Sequence, residues 1–269
     1  MGVIEKIASR DNKRLVNARK IRDGKVKTSI FIEGQRLVEE ALNSNLVFQE
    51  CFAAEGFGNR ELLNAIAAKT VKMAEIPERI FRSIADTDNS QGIILIAERP
   101  KGSTGTIEDC LKFENAALPI VLFLNKINNP SNVGAILRTA EAAGVVGVIT
   151  SANSADAFSP KALRAAMGAS FRLLIWENAD FDKVLQWAKE GNLMATAADI
   201  RAGMAYTQID WISPRLLIFG SEAHGLNDAE LEKIAEKISI PMENEVESLN
   251  LAVSAGIILF EAKRQNSAT

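Results

Sequence analysis

Ile120-Val121-Leu122-Phe123-Leu124, then Asn125-Lys126-Ile127-Asn128-Asn129-Pro130-Ser131, then residues 132–143, then Val145-Val146-Gly147-Val148-Ile149-Thr150: the fold turns on this stretch. Two short apolar runs flank a segment of helical period, whose stripe is Val133, Ile136, Leu137 and Ala140. Runs apolar on both faces suit strands buried on both sides, as in a parallel sheet. Ser131 is the expected N-cap of the helix. Gly134 and Arg138, at i and i+4, are expected to share the face opposite the stripe.

The alternation continues downstream. Further strands are expected at 172–175, 193–197, 216–219 and 238–241, and helices at 160–167, 181–189, 228–236 and 249–263. This predicts a doubly wound, mostly parallel α/β sheet with helices on both faces and ligands at the carboxyl ends of its strands. Upstream, a basic amphipathic helix at 11–21 places Leu15, Ala18 and Ile21 on one side. Strands at 29–33, 46–53, 71–74 and 92–97 and helices at 34–42 and 60–68 follow, with another helix opened by Pro77. That is a second, smaller α/β domain. Residues 99–105, punctuated by proline and glycine, are the expected linker. The expected domains are therefore 1–100 and 107–269.

Composition bounds the function. The chain has 269 residues, room for two domains. No apolar run approaches the ~18 residues of a membrane span, and the first residues carry no signal-peptide core. Cys51 and Cys110 are the two cysteines and read as reduced thiols, so a cytoplasmic protein is expected. His224 is the single histidine, which excludes a His-rich or Cys-rich metal site. Net charge is −3, yet between Lys6 and Lys27 stand nine basic and two acidic residues. Such a cluster is either a solvated helix face or a phosphate-binding surface. Lys13, Arg14, Arg19 and Lys20 are its candidate RNA contacts.

Three loops follow strands and hold the candidate chemistry. In the first, Asn132 near a helix start and Arg138 further along make a plausible phosphate grip, or Arg138 is a surface arginine on an ordinary helix. The second is Phe219-Gly220-Ser221-Glu222-Ala223-His224-Gly225-Leu226. Glycine at a strand end lets backbone approach a ligand, and Glu222 reads as a ligand-binding carboxylate or a solvated loop residue. The loop is neither a P-loop nor a GxGxxG fingerprint. The third runs from Ile240-Pro241-Met242 to Glu247-Ser248-Leu249-Asn250-Leu251 and Ser254. Ser248 is the expected N-cap, Leu249, Ala252, Val253, Gly256 and Ile257 the expected packing face, and Asn250 and Ser254 a polar face.

Together, in this order, the loops resemble the three signature motifs of the SpoU/TrmH RNA methyltransferases. The matching residues are Asn132, Gly134, Arg138 and Ala140; then 219–222 with Gly225 and Leu226; then 240–242 with 247–251 and Ser254. Asn129 departs from the pattern, since members often carry aspartate before the proline. Residues 31–42, which include Arg36, are similar to the start of the family's substrate-binding domain, a ribosomal-protein-like α/β fold.

The resemblance implies a trefoil knot near the carboxyl end and a homodimer. It implies an S-adenosylmethionine-dependent methylation of a ribose 2′-hydroxyl in RNA. Arg138 is then the catalytic arginine, with Asn132, Glu222, Ser248 and Asn250 orienting it, the ribose or the cofactor. The expected cofactor contacts are Gly220, Ile240 and Leu249 through main-chain groups, with Thr196 and Ala197 at a neighbouring strand end. Arg36 joins the RNA contacts. Ribosomal RNA is favoured over transfer RNA because a separate amino-terminal domain precedes the catalytic one. The competing classes are a non-catalytic RNA-binding or ribosome-assembly protein on this fold, and a base methyltransferase of another knotted family.

Overall fold

The computed structural model describes residues 5–69, 71–100, 118–244 and 247–267. Residues 101–105 of the expected linker, Cys110, and Val246 beside the third motif lie outside them. The chain divides into two compact units, Met1–Lys101 with Ala157–Arg172, and Gly102–Asp156 with Leu173–Thr269.

The first unit holds a five-stranded mixed sheet in the order β1-β4-β3-β5-β2: β1 (Glu5–Lys6), β2 (Ser29–Glu33), β3 (Phe48–Ala54), β4 (Lys72–Ile76) and β5 (Ile93–Glu98). β3 pairs parallel with β4 and antiparallel with β5, whose other edge takes β2. Helix α1 (Lys13–Arg22) buries Leu15, Ala18 and Ile21, the side its period predicts. They pack with Phe31, Phe52, Ile94 and Ile96 from the sheet and with Ile80, Phe81 and Ile84 of α4 (Glu78–Ile84). α2 (Gln35–Leu42) and α3 (Arg60–Ala67) complete the run. The unit also takes in Ala157–Arg172, which the sequence division placed in the second part. Within the unit, Arg164 reaches Asp86 at 2.7 Å, Arg172 reaches Glu40 at 2.8 Å, and the Arg99 guanidinium lies 4.7 Å from the centre of the Phe158 ring.

The second unit is built on a six-stranded sheet, β11-β9-β10-β6-β7-β8, parallel throughout. The strands are β6 (Leu118–Leu124), β7 (Val145–Ser151), β8 (Ile175–Ala179), β9 (Met194–Ala198), β10 (Arg215–Phe219) and β11 (Glu236–Ile238). Every residue of β6 and of β10 is buried, as expected of central parallel strands. Strand order steps outward from β6 to β7 and β8, then resumes on its other side. The switch lies between β6 and β10, where crevices form beyond the strand ends.

Several boundaries differ from expectation for physical reasons. Helix α5 (Pro130–Ala143) starts two residues early, because Asn129 rather than Ser131 is its N-cap. The Asn129 side chain accepts from Ser131 N at 2.9 Å, and Pro130 takes the first-turn position it favours. Asparagine and aspartate both cap well, so the departure at this position keeps the cap. Val133, Ile136, Leu137 and Ala140 are buried as expected, but Gly134 is buried too, while Arg138 is exposed. β8 begins at Ile175, not 172, because a 3₁₀ turn at Ala169–Phe171 intervenes.

α7 (Phe181–Glu190) follows expectation, and α6 (Pro160–Ala166) lies in the first unit. α8 (Asp228–Glu232) ends four residues before the expected 236, and the strand expected at 238–241 runs at 236–238 instead. There the Glu236 carboxylate is bound by Thr196 Oγ1 at 2.7 Å and by Arg215. A charged edge strand has no apolar period to read. α9 (Leu251–Asn266) is capped by Asn250, not Ser248, and packs on α5. Its buried face is Ala255, Ile258, Leu259 and Ala262; Val253, expected inside, is 51% exposed.

The Asn129 cap gives a direct expectation. Asn129→Ala should lower the free energy of unfolding by about 1 kcal/mol, and Asn129→Asp by no more than a few tenths. Urea denaturation of both variants checks this; equal losses would show that the side-chain cap is not what holds the helix start.

Candidate active site

The carboxyl ends of β9, β10 and β11 and the start of α9 enclose a cavity of about 660 Å³, within the usual range for small-molecule sites. Its walls are Ala198–Arg201, Phe219–Gly225, Ile238–Ile240, Met242, Glu247–Leu251, Ser254 and Ile258, with Asn132 reaching in from α5. Isoleucine and leucine side chains supply apolar area. Asp199, Glu222 and Glu247 set three carboxylates against the one guanidinium of Arg201.

Glu222 is the hub. Its Oε2 accepts from Asn128 N at 3.1 Å, and its Oε1 from Asn129 N and from Asn132 Nδ2, each at 3.2 Å. Asn132 Oδ1 in turn accepts from Asn250 Nδ2 at 3.2 Å. Asn250 Oδ1 takes the amides of Ala252 and Val253, closing the N-terminus of α9. One chain of hydrogen bonds therefore links the loops after β6, β10 and β11. Partial burial pushes the Glu222 pKa up, but the hydrogen bonds it accepts, from backbone amides and Asn132, outweigh this and hold it below 4.5.

The loop after β6 is held at every amide. Asn125 N donates to Phe219 O at 2.8 Å, Lys126 N to Ser151 Oγ at 2.8 Å and Ile127 N to Ser154 Oγ at 3.2 Å. Asn128 and Asn129 give theirs to Glu222. The loop after β10 closes on itself: Ser221 N donates to Gly225 O and Gly225 N to Ser221 O. A Cβ on Gly220 would overlap the backbone of Gly225 and Leu226, so glycine there serves the loop's own crossing.

Of the site residues expected from sequence, Asn132, Gly220, Glu222, Ile240, Ser248, Leu249 and Asn250 line this cavity. Thr196 and Ala197 do not. Thr196 is fully buried, bonding Glu236 and accepting from Arg215 Nη1 at 2.9 Å, and Ala197 lies in the core beneath the sheet. The strand contributes its next residues instead. Asp199 and Arg201 were missed: Arg201 pairs with Asp199 at 3.0 Å and Asp228 at 3.2 Å, a contact sequence spacing does not reveal. Burial tends to raise the Asp199 pKa, and the Arg201 hydrogen bonds and charge lower it overall. Arg138 stands six residues along α5 from Asn132, exposed, its side chain making no ion pair or hydrogen bond to any described residue.

In the first unit the basic cluster is partly spent on structure. Arg14 pairs with Glu5 and Glu50, and Arg19 Nη2 donates to Arg10 O at 2.8 Å. Arg22 donates to Ala85 O at 2.9 Å, and Lys6 reaches Glu75 at 3.5 Å. Lys13, Lys20 and Arg36 are exposed and make no ion pair with a described residue. Phe31 and Phe52 are core. Among the described residues, no three His, Cys, Asp or Glu side chains gather as a metal site would require, and no helix is long and apolar enough to cross a membrane.

Comparison with known proteins identifies the family. Residues 119–260 match the SpoU rRNA Methylase family, and residues 31–102 match RNA 2'-O ribose methyltransferase substrate binding. The chain is 26% identical over 263 residues to the Bacillus subtilis 23S rRNA (guanosine(2553)-2'-O)-methyltransferase RlmP, covering 97% of this chain and 100% of that one. It superimposes on an AdoMet-bound rRNA methyltransferase from Sinorhizobium meliloti with a TM-score of 0.84 at 27% identity, over 97% and 98% of the two chains. A structure concerned with 2-OH methylation of C/U34 on tRNA matches at 28% identity and a TM-score of 0.52, covering 56% of this chain and 97% of that one.

The Glu222 hub implies a signed pH dependence. Because its folded pKa is depressed, its stabilisation is complete above 4.5 and is lost as pH falls through the folded value. The stability difference between the wild type and Glu222→Gln should therefore shrink below pH 4.5, measured as urea midpoints across the acid range. Other carboxylates titrate in both proteins and cancel. A difference that does not change with pH would contradict the clamp.

Proposed function

This chain belongs to the SpoU rRNA Methylase family, and from that premise we propose that it methylates a ribose 2′-hydroxyl of ribosomal RNA, with S-adenosylmethionine as donor. The observation that carries the reading is the three-loop cavity, with Glu222, Asn132 and Asn250 joined in one hydrogen-bonded chain. The cavity suits the donor: apolar walls for a base, backbone groups at the strand ends, and an excess of carboxylates for a cationic molecule. Gly220, Ile240 and Leu249 hold it through main-chain groups.

The donor supplies an activated methyl group, so positioning provides much of the acceleration. Arg138 keeps its proton at any physiological pH and cannot act as base. Its guanidinium holds the phosphate beside the target ribose and stabilises the alkoxide that develops on the 2′-oxygen. Its side chain pairs with none of the described residues, which leaves it available for that anion. Asn132, Glu222, Ser248 and Asn250 orient the loops around the ribose and the donor.

Ribosomal RNA is favoured on two grounds. RlmP is named for a guanosine of 23S rRNA, and so is the Ralstonia nicotianae 23S rRNA (guanosine-2'-O-)-methyltransferase RlmB, 29% identical over 208 residues. The relative concerned with tRNA matches only 56% of this chain, whereas the S. meliloti rRNA methyltransferase spans 97% of it. We assign RNA recognition to domain 1–100 and catalysis to domain 107–269. Lys13, Lys20 and Arg36 contact phosphate there, with Arg14 and Arg19 buttressing the same surface. We further propose a homodimer, supported by the apolar stripe of Val253, Ile257 and Phe260 on α9, where Phe260 is 49% exposed. A trefoil knot at the carboxyl end and a cytoplasmic location complete the reading.

Incubating the protein with ribosomal RNA and donor, then digesting to nucleosides, tests the reaction. A 2′-O-methyl nucleoside is expected; a base-methylated nucleoside or none would overturn it. Arg138→Ala should lower turnover by roughly 100-fold or more, the scale of lost transition-state contacts, and leave donor affinity by calorimetry nearly unchanged. Near-normal turnover would remove Arg138 from the mechanism.

A further inference from the structure

Glu230 lies outside the cavity, on α8 just after the loop that carries Glu222, and is buried. Its Oε1 accepts from Asn125 Nδ2 at 3.0 Å and from Lys126 Nζ at 2.8 Å. Its Oε2 accepts from Asn227 N at 3.0 Å, and Glu230 N in turn donates to Asn227 Oδ1 at 2.8 Å. This reciprocal cap fixes the start of α8. The carboxylate thus ties the base of the loop after β6 to the helix that ends the loop after β10. Glu222 ties the same two loops nearer the cavity.

Lys126 makes the tie informative. Its φ is +61°, the left-handed region that a residue with a Cβ seldom enters without compensation. Consecutive side chains on an extended chain point apart. The left-handed turn lets Asn125 and Lys126 reach one oxygen. Glu230 and Ser151 hold that turn, and the two residues beyond Ile127 then present their amides to Glu222.

We propose that Glu230 is a positioning residue for methyl transfer: it fixes the left-handed turn at Lys126, and through that loop the N-terminus of α5 with Asn132 and Arg138. Its partners Lys126, Asn227 and Asn125 outweigh the effect of burial and keep the carboxyl below its ordinary range. Asn125, Lys126 and Glu230 do not line the cavity. Loosening them should displace the arginine-bearing helix more than the donor site, and a displacement near 1 Å costs on the order of 100-fold in rate.

The inference rests on the reaction proposed above, and full-length Glu230→Ala, Glu230→Gln and Lys126→Gly test it. In Glu230→Ala, kcat should fall about 10-fold or more while calorimetric affinity for S-adenosylmethionine stays within about threefold, the pattern of a lost transition-state interaction. Glu230→Gln, which keeps an acceptor for Asn125 and Lys126, should recover most of the rate. Lys126→Gly, which accepts the left-handed turn without the ammonium, should fall between. Unchanged kcat in Glu230→Ala, or kcat and donor affinity falling in parallel in both Glu230 variants, would overturn the proposal.

Hydrogen exchange of the amides of residues 125–129 supplies a readout independent of methylation. Faster exchange in Glu230→Ala supports the proposal, and unchanged exchange overturns it. If the wild type itself methylates no ribose, the reaction reading fails, and this exchange comparison still decides the role of Glu230.

Discussion

The carboxylate of Glu222, shared among two backbone amides and the side chain of Asn132, is the interaction on which the site depends. A parallel sheet brings strand ends together but leaves the loops beyond them with unpaired amides. At the switch between β6 and β10 a neutral acceptor would satisfy one or two such groups. An ionised carboxylate satisfies three here, and hydrogen bonds to a charged acceptor are worth about 1.5–3 kcal/mol each. Asn132 passes the link on to Asn250, which donates to it through Nδ2 and closes the first turn of α9 by accepting through Oδ1. Loops distant in sequence become one surface through these side-chain and backbone hydrogen bonds.

Much of this was legible because the apolar pattern is strong. Central strands are uninterrupted apolar runs, and α5 and α1 bury the stripes their periods mark. The misreadings share a cause: a polar or charged residue whose role is set by a distant partner. Glu236 belongs to a strand because Thr196 and Arg215 bind it, and no local signal says so. Thr196 itself looked like a ligand contact and is a partner of that buried pair. Ser248 and Asn250 are both good cap residues two positions apart. Asn250 caps because its amide is also held by Asn132.

α9 taught the opposite lesson about apolar residues. Two apolar faces compete on it, and period cannot tell which meets α5. Ala255, Ile258, Leu259 and Ala262 are the buried residues, leaving Val253 and Phe260 exposed. In the first unit, cation count overstated the free positive surface, since Arg14, Arg19 and Arg22 are engaged by carboxylates and carbonyls. Arg138 shows the reverse: its side chain is exposed and uncommitted among the described residues.

The central claim is that the hydrogen-bonded chain from Glu222 through Asn132 to Asn250 makes three loops act as one site. A double-mutant cycle measures this directly: S-adenosylmethionine affinity by calorimetry in the wild type, Glu222→Ala, Asn250→Ala and the double variant. The account predicts strong non-additivity, a coupling of roughly 0.5–3 kcal/mol, because either substitution breaks the same chain. Losses that add to within about 0.3 kcal/mol would show independent loops and contradict it.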